Sequence, residues 1–410
     1  MHISTFCLNF CGGTKLIYYT FWCFYVKIKS SGVNMNNIEL LKGLTKINSS
    51  NSLANENEVV EYLKDFLKPY AKIKIIGTKR KNILAFFGNL KSKNILLFNG
   101  HLDVVEADKK EWRYDPFDLT TNGAFAYGRG VGDMKGGIVA TLMAIIKAQK
   151  DDLLKDKQII FAGSSDEESG SDSEFGAAMV VDYFLKNNIK PQGCIIPEPN
   201  GMQREPKINI GSRGLLWIKA ESIGQKMHSG LIKEEDNAIM NMINFLNELK
   251  KKFTNQPKKD FKGIPGSSAR VTMINGGSNV FNVVPNHSVC QIDLRVSPND
   301  KNNQIIKFVQ RLAVKYGVKI DVIKNTPSTS IKRSEKILTK TISCLEGMGK
   351  RYEVGYSSPS NDSHFFNNAK IPTIVALGVE AENVHANDEN ILIDSLRKSE
   401  EMIYEVIKEW

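Results

Sequence analysis

Residues 56–67 place Val59, Val60, Leu63, Phe66 and Leu67 on one side of a 3.6-residue repeat, which predicts an amphipathic helix. Beyond it the pattern changes to short apolar runs at 83–87, 95–98, 159–162 and 194–196, each bounded by turn residues and each of strand length. Between the second and third runs lies the apolar stretch 138–148, too long for a strand and followed by a charged turn. It is expected to be a helix packed on a sheet. Strands alternating with helices predict an α/β layer with a mixed, mainly parallel sheet, whose functional groups gather at the carboxyl ends of the strands.

From about Ser212 the texture differs. Strands are expected at 215–223, 269–274 and 289–296, with helices at 237–253 and 303–316, the content of a small two-layer α+β unit. After Thr326 the larger alternation resumes, with a helix at 336–346, a strand at 373–377 and a closing helix at 393–408. The simplest division is a catalytic domain built from 35–211 and 326–410 and interrupted by an inserted domain at 212–325. Residues 1–34 read as an extension outside the fold. Their apolar run 16–26, behind Lys15, is too short to span a bilayer and has no convincing small-residue cleavage site after it. A cytoplasmic protein with no membrane association is expected, with export as the alternative.

A chain of 410 residues, 41% hydrophobic and 24% charged, has enough apolar material for one large core or two, which excludes a disordered chain. The formal charge of +10 invites a nucleic-acid reading. Its densest basic cluster, Lys250 to Lys252 with Lys258 and Lys259, has no aromatic platform interleaved with it, so a solvated face is expected and no nucleic-acid partner. The three cysteines beyond the opening segment, Cys194, Cys290 and Cys344, are too widely spaced for a disulfide framework or a CxxC metal site and read as buried thiols.

The chemistry concentrates at the ends of the apolar runs. His101 follows the second run in Asn-Gly-His-Leu-Asp, where Asp103 can accept from its other ring nitrogen and fix the tautomer. Asp133 sits among five glycines in GRGVGDMKGG, where backbone and carboxylate can approach a ligand closely. A phosphate cradle fits less well, because neither GxGxxG nor the Walker pattern is present and the central carboxylate repels phosphate. Asp166, Glu167 and Glu168 follow the third run as either an exposed acidic loop or a cation site, and Glu198 follows the fourth between two prolines. His385 lies just beyond the last predicted strand. Two histidines with three or four carboxylates are a donor set for a pair of divalent ions, zinc above all.

In this order, GHLD, GRGVGDMKGG, SSDEESG, the PEP segment, MHSG and the late Glu-x-x-His resemble the zinc aminoacylase/carboxypeptidase family of di-zinc hydrolases, the succinyl-diaminopimelate desuccinylase and acetylornithine deacetylase group, over about residues 37–410. The resemblance implies an exopeptidase-like catalytic domain with an inserted domain for dimerisation and closure, two Zn2+ per subunit with Co2+ as a possible substitute, and a homodimer. It implies that His101 and Glu198 hold one ion, Glu168 and His385 the other, and that Asp133 bridges them across a cis Asp133–Met134 peptide. Glu167 then becomes the general base and Asp103 the residue orienting His101. His228 would stabilise the oxyanion in the partner subunit's site, Asn282 and Arg295 would bind the substrate carboxylate, and Asp362, in a segment that aligns loosely with a Thr-Ser-Asp loop near the site, would be a further substrate-binding residue. The implied reaction is hydrolysis of a small N-acyl amino acid, with N-succinyl-LL-2,6-diaminopimelate favoured and acetylornithine, a related lysine-pathway acyl compound or a peptide as alternatives. A catalytically silent binding protein of the same fold is the non-enzyme reading.

Overall fold

Every residue of Ile95–His101, Gln158–Ser164 and Gly193–Ile196 is buried, and this two-sided burial explains why these runs read as continuous apolar stretches rather than as alternation. They form the middle of a nine-stranded sheet in a computed structural model that describes residues 36–169, 173–202, 205–254, 266–277, 280–357 and 361–410. The opening segment 1–34, with its expected extension, and Lys258 and Lys259 of the basic cluster lie outside the described residues.

Across the sheet the strands run Lys72–Ile76, Asn82–Gly88, Gln158–Ser164, Ile95–His101, Gly193–Ile196, Thr373–Val375, Lys207–Ser212 and Thr329–Ser330, with Glu353–Ser357 also pairing with Lys207–Ser212. Gln158–Ser164, Ile95–His101, Gly193–Ile196 and Thr373–Val375 are mutually parallel. The sheet is thus mixed. Antiparallel pairs flank the parallel block, because Lys72–Ile76 and Asn82–Gly88 form a hairpin and Lys207–Ser212 runs against Thr373–Val375. Register within the block sets His101 beside Ser164, Phe98 beside Ile195 and Val375 beside Ile196. All four carboxyl ends therefore emerge along one edge.

Helices cover the sheet. Gly137–Lys150 is buried on most of its surface and packs against the amphipathic closing helix Ile393–Glu409, which buries Leu396, Met402, Ile403, Val406 and Ile407. A second sheet of four antiparallel strands runs Ser268–Gly276, His287–Val296, Gly214–Ile223 and Val318–Thr326, packed with the helices Ala238–Thr254 and Asn302–Lys315. Its core, including Leu216, Met242, Phe245, Ile292 and Val309, is a cluster separate from that of the large sheet. The strand Val318–Thr326 corrects the sequence reading, which had no element there. Val318, Ile320 and Val322 alternate with Lys319 and Asp321, a strand signal that slips at Ile323, where the register against Gly214–Ile223 shifts between Trp217 and Ile218. Among the described residues no helix is long and apolar enough to cross a membrane.

Phe161 is fully buried in the parallel block whereas Leu185 is 66% exposed. Phe161→Ala is expected to lose about 3–5 kcal/mol in urea unfolding and Leu185→Ala under about 0.5 kcal/mol. Equal losses at the two positions would show that the parallel block is not the core of the fold.

Candidate active site

Four loops leave the carboxyl edge of the parallel block and converge. His101, the last residue of its strand, is 2% exposed and places Nε2 2.9 Å from Asp133 Oδ1. Its Nδ1 faces the backbone carbonyl of Asp103 at 2.9 Å, while the Asp103 carboxylate stands 3.7 Å away. This modifies the expectation for Asp103: its main chain, more than its side chain, orients the ring. The Asp103 carboxylate accepts instead from the backbone N–H groups of Glu167 (3.1 Å) and Glu168 (2.9 Å) and from Asn51 Nδ2 (2.8 Å), so it shapes the acidic loop.

Asp133 sits in the glycine loop ahead of Gly137–Lys150, and the Asp133–Met134 peptide is cis. Gly130 has φ +82°, and a Cβ at Gly137 would lie 2.0 Å from the carbonyl oxygen of Pro197. Those two positions exclude other side chains where the loop turns and where it meets the Pro197–Glu198 segment. The second carboxylate oxygen of Asp133 is 3.1 Å from His385 Nε2, which is also 3.1 Å from Glu168 Oε1. Donor atoms cluster within 4.8 Å of one another in three overlapping groups: His101, Asp133 and Glu198; Asp133, Glu168 and His385; and His101, Glu167 and Glu168. The first two share Asp133.

The electrostatics are those of crowded acids. Burial, followed by the charge of Asp133, pushes Glu198 well above the usual carboxylate range. Burial also pushes Glu167 well up, against the pull of His101 and with the repulsion of Asp362. Burial opposes ionisation of Asp133 too, but hydrogen bonds from His101 and His385 win and hold it below its ordinary value. Hydrogen bonds to Asp133 and Glu168 raise His385 to about 10. For His101, burial favours the neutral ring, yet the hydrogen bond to Asp133 carries it well above the ordinary value. Imidazole and carboxylate donors in two triads with a shared carboxylate fit a pair of divalent cations, whose charge would offset this repulsion.

The cluster faces a cleft of about 690 Å³. Asp133, Glu167, Glu168, Glu198 and His385 line one side, and Leu215, Trp217 and Arg295 of the smaller sheet line another. Arg295 forks onto Asp293 through Nε and Nη2, both at 3.1 Å. The other expected residues are placed differently. Asp362 is 4% exposed and sits beneath the wall, accepting from Ser164 Oγ at 3.3 Å, with burial raising it to about 6. His228 is exposed on the short strand Met227–His228, paired with Val283–Val284, and the Asn282 carbonyl accepts from Ser229 N at 2.9 Å. Neither His228 nor Asn282 is among the described residues lining the cleft. His364 is buried with Nδ1 2.9 Å from the Asn361 carbonyl.

Sequence reasoning missed the supports behind the site. Asn51 Nδ2 bridges Asp103 and, at 2.9 Å, Asp166, and Arg80 Nη1 reaches Asp166 at 2.7 Å and Glu56 at 2.5 Å. These residues lie far from the acidic loop in sequence, in segments whose local pattern carries only helix and turn signals.

Comparison with known proteins fits this geometry. The sequence profile of peptidase family M20/M25/M40 matches residues 97–409. A curated relative from Staphylococcus aureus (strain Mu50), named "Probable succinyl-diaminopimelate desuccinylase", is 30% identical over 333 residues, covering 74% of this chain and 80% of the relative. Succinyl-diaminopimelate desuccinylase 2 of a Ruegeria species is 25% identical, covering 80% of this chain and 83% of its own length. Among solved structures, an M20 family metallo-carboxypeptidase from Sulfolobus solfataricus superposes with a TM-score of 0.75 at 21% identity, covering 91% of this chain and 98% of its own. A dinuclear metal binding M20 peptidase from Bacillus subtilis gives 0.68 at 13% identity, covering 91% of this chain and 96% of its own.

The shifts have a consequence for the chelated protein. Glu167, Glu198, His101 and His385 are all raised, so above their unfolded values the folded state holds protons that the unfolded state has lost. Stability from these groups is present at low pH and is lost as pH rises through their folded values. Asp133, held low, acts in the opposite sense, but only as pH falls below the ordinary range of aspartate. The melting temperature of chelated protein is therefore expected to fall between pH 5 and 8, and the stabilisation by added Zn2+ to grow over the same range; a Zn2+ effect that shrinks with pH would contradict the acid-crowded site.

Proposed function

The chain belongs to peptidase family M20/M25/M40 and is a hydrolase acting on amide bonds; from that premise we propose that it removes the acyl group from a small N-acyl amino acid, with N-succinyl-LL-2,6-diaminopimelate as substrate and succinate and LL-diaminopimelate as products. The observation that carries the reading is the sharing of Asp133 between two donor triads, with Glu167 beside them in the same cleft. In this proposal His101 and Glu198 hold one Zn2+, Glu168 and His385 the other, and Asp133 both, and Co2+ can substitute. Such ions would supply Lewis acidity that polarises the amide carbonyl and eases deprotonation of water.

The protein's own groups supply the rest. Glu167 is the base: its raised proton affinity lets it take a proton from the attacking water and deliver it to the leaving amine nitrogen. Asp103 holds the backbone of Glu167 and Glu168 and, through its carbonyl, the ring of His101. Arg295 offers a forked guanidinium to a substrate carboxylate, exchanging it for Asp293. His228 of the partner subunit completes the oxyanion pocket of a homodimer, consistent with its exposure outside this chain's own cleft. A cytoplasmic setting suits the free, buried thiols of Cys194, Cys290 and Cys344.

Two measurements test this. Purified protein with Zn2+ or Co2+ is expected to turn over N-succinyl-LL-2,6-diaminopimelate faster than N-acetylornithine or short peptides; preference for either of those reassigns the substrate within the same reaction class, and turnover of none supports a silent binding protein. Glu167→Gln is expected to lower kcat about 10²–10⁴-fold while its metal content stays at the wild-type level. Retained activity in that variant would remove Glu167 as the base.

A further inference from the structure

One buried ion pair, which none of the roles above uses, touches the loops that carry Asp133 and His385. Glu389 is 1% exposed and both its oxygens are saturated. Oε1 accepts from Gly132 N at 2.8 Å and Asp133 N at 3.1 Å, and Oε2 from Gly130 N at 3.0 Å and Arg129 Nη1 at 2.7 Å. Arg129, 2% exposed, directs Nη2 to the carbonyls of Ala386 (3.0 Å) and Glu106 (3.3 Å), with its guanidinium over the Trp112 ring at 4.9 Å.

We propose that Glu389 and Arg129 are a positioning pair that locks the Asp133 loop to the His385 loop, so that a single carboxylate can serve two cation positions. The inference rests on the dinuclear reading above. Three physical points support it. The His385 side chain is 51% exposed and its backbone has φ +64°, so packing does little to hold it; the tether at the neighbouring Ala386 carbonyl supplies that restraint. The N–H of Asp133 itself is fixed by Glu389, which limits rotation of the carboxylate presented to both triads. Finally, a carboxylate has roughly four acceptor sites, and here all four meet donors. Glutamine has the same shape but one acceptor oxygen, and whichever way it turns, its NH2 faces two donors.

The experiment uses chelated full-length protein titrated with Co2+, followed by visible absorption, with kcat and KM on the best substrate at each Co2+ concentration. Wild type is expected to take up Co2+ in two steps. Glu389→Gln, checked for folding by circular dichroism, is expected to raise the dissociation constant of the weaker step about 10- to 100-fold. Its kcat should fall at low Co2+ and recover at saturating Co2+, with KM changed less than threefold, roughly within ordinary mutational scatter. Arg129→Lys keeps a charge but loses the fork that spans Glu389 and Ala386, and it should weaken the same step; it decides the matter alone if Glu389→Gln does not fold. Unchanged Co2+ affinity in the folded variants overturns the positioning role, as does a fall in kcat that Co2+ does not restore. Absence of Co2+ uptake by wild type overturns the dinuclear reading itself, and with it the pair's purpose.

Discussion

Negative charge at the carboxyl edge of a buried parallel block is the constraint from which the rest of this structure follows. Asp133, Glu167, Glu168, Glu198 and Asp362 are drawn together where little solvent remains, and among the described residues the imidazoles that join the donor groups are those of His101 and His385. Removing an ionised carboxylate from water is strongly unfavourable unless a cation or several hydrogen bonds replace the water. The directions of the shifts express that conflict. Asp133, touched by both histidines, is held below its ordinary value, whereas burial pushes Glu167 and Glu198 above theirs. On the proposed reading, a cation pair held by the other carboxylates and the two histidines would offset that repulsion and leave Glu167 for proton transfer.

Holding such a cluster together requires a frame that does not itself carry the ions, and the fold supplies one at each side. Behind the acidic loop, Arg80 sits between Glu56 and Asp166, and Asn51 ties Asp166 to Asp103. Behind the glycine loop, Glu389 and Arg129 form the corresponding support, and Lys135 donates to the carbonyls of Leu44 and Ile47, fastening the loop to the helix Asn37–Thr45 and the turn after it, with burial lowering its amine to about 7. Both frames use cations on the far side of carboxylates or backbone amides. The protein's own positive charge therefore goes to geometry, while the centre of the cluster is left to exogenous charge.

Much of the site was legible because the signal was local. His101, Glu168 and Glu198 each follow an apolar run within a few residues, Asp133 sits inside the glycine loop, His385 lies farther beyond Thr373–Val375, and parallel topology converts common position at strand ends into common position in space. What was not legible depends on pairing at long range. Asn51 and Asp103 are 52 residues apart, Arg129 and Glu389 260, and no periodicity links them. Val318–Thr326 is a different case: Val318, Ile320 and Val322 alternate with Lys319 and Asp321, a local strand signal that the reading passed over, and the pattern slips only at Ile323, beside the register shift against Gly214–Ile223. For Asp103 the residue was found but the atom was not, since spacing cannot distinguish a carbonyl at 2.9 Å from a carboxylate at 3.7 Å.

Opposite the acidic cluster, the smaller sheet presents the reverse charge. Burial and then the proximity of Arg295 hold the Arg213 guanidinium below its ordinary value, with Arg270 adding to that repulsion and Asp293 as the opposing acid. Of these arginines it is Arg295, forked onto Asp293, that lines the cleft beside Trp217 and Leu215. On the proposed reading, a substrate whose carboxylate is remote from its scissile amide places the amide at the acidic edge and the carboxylate at Arg295. The cleft is thus acidic along the edge of the large sheet and carries the Arg295 guanidinium across from it, a polarity that only residues contributed by both sheets together produce.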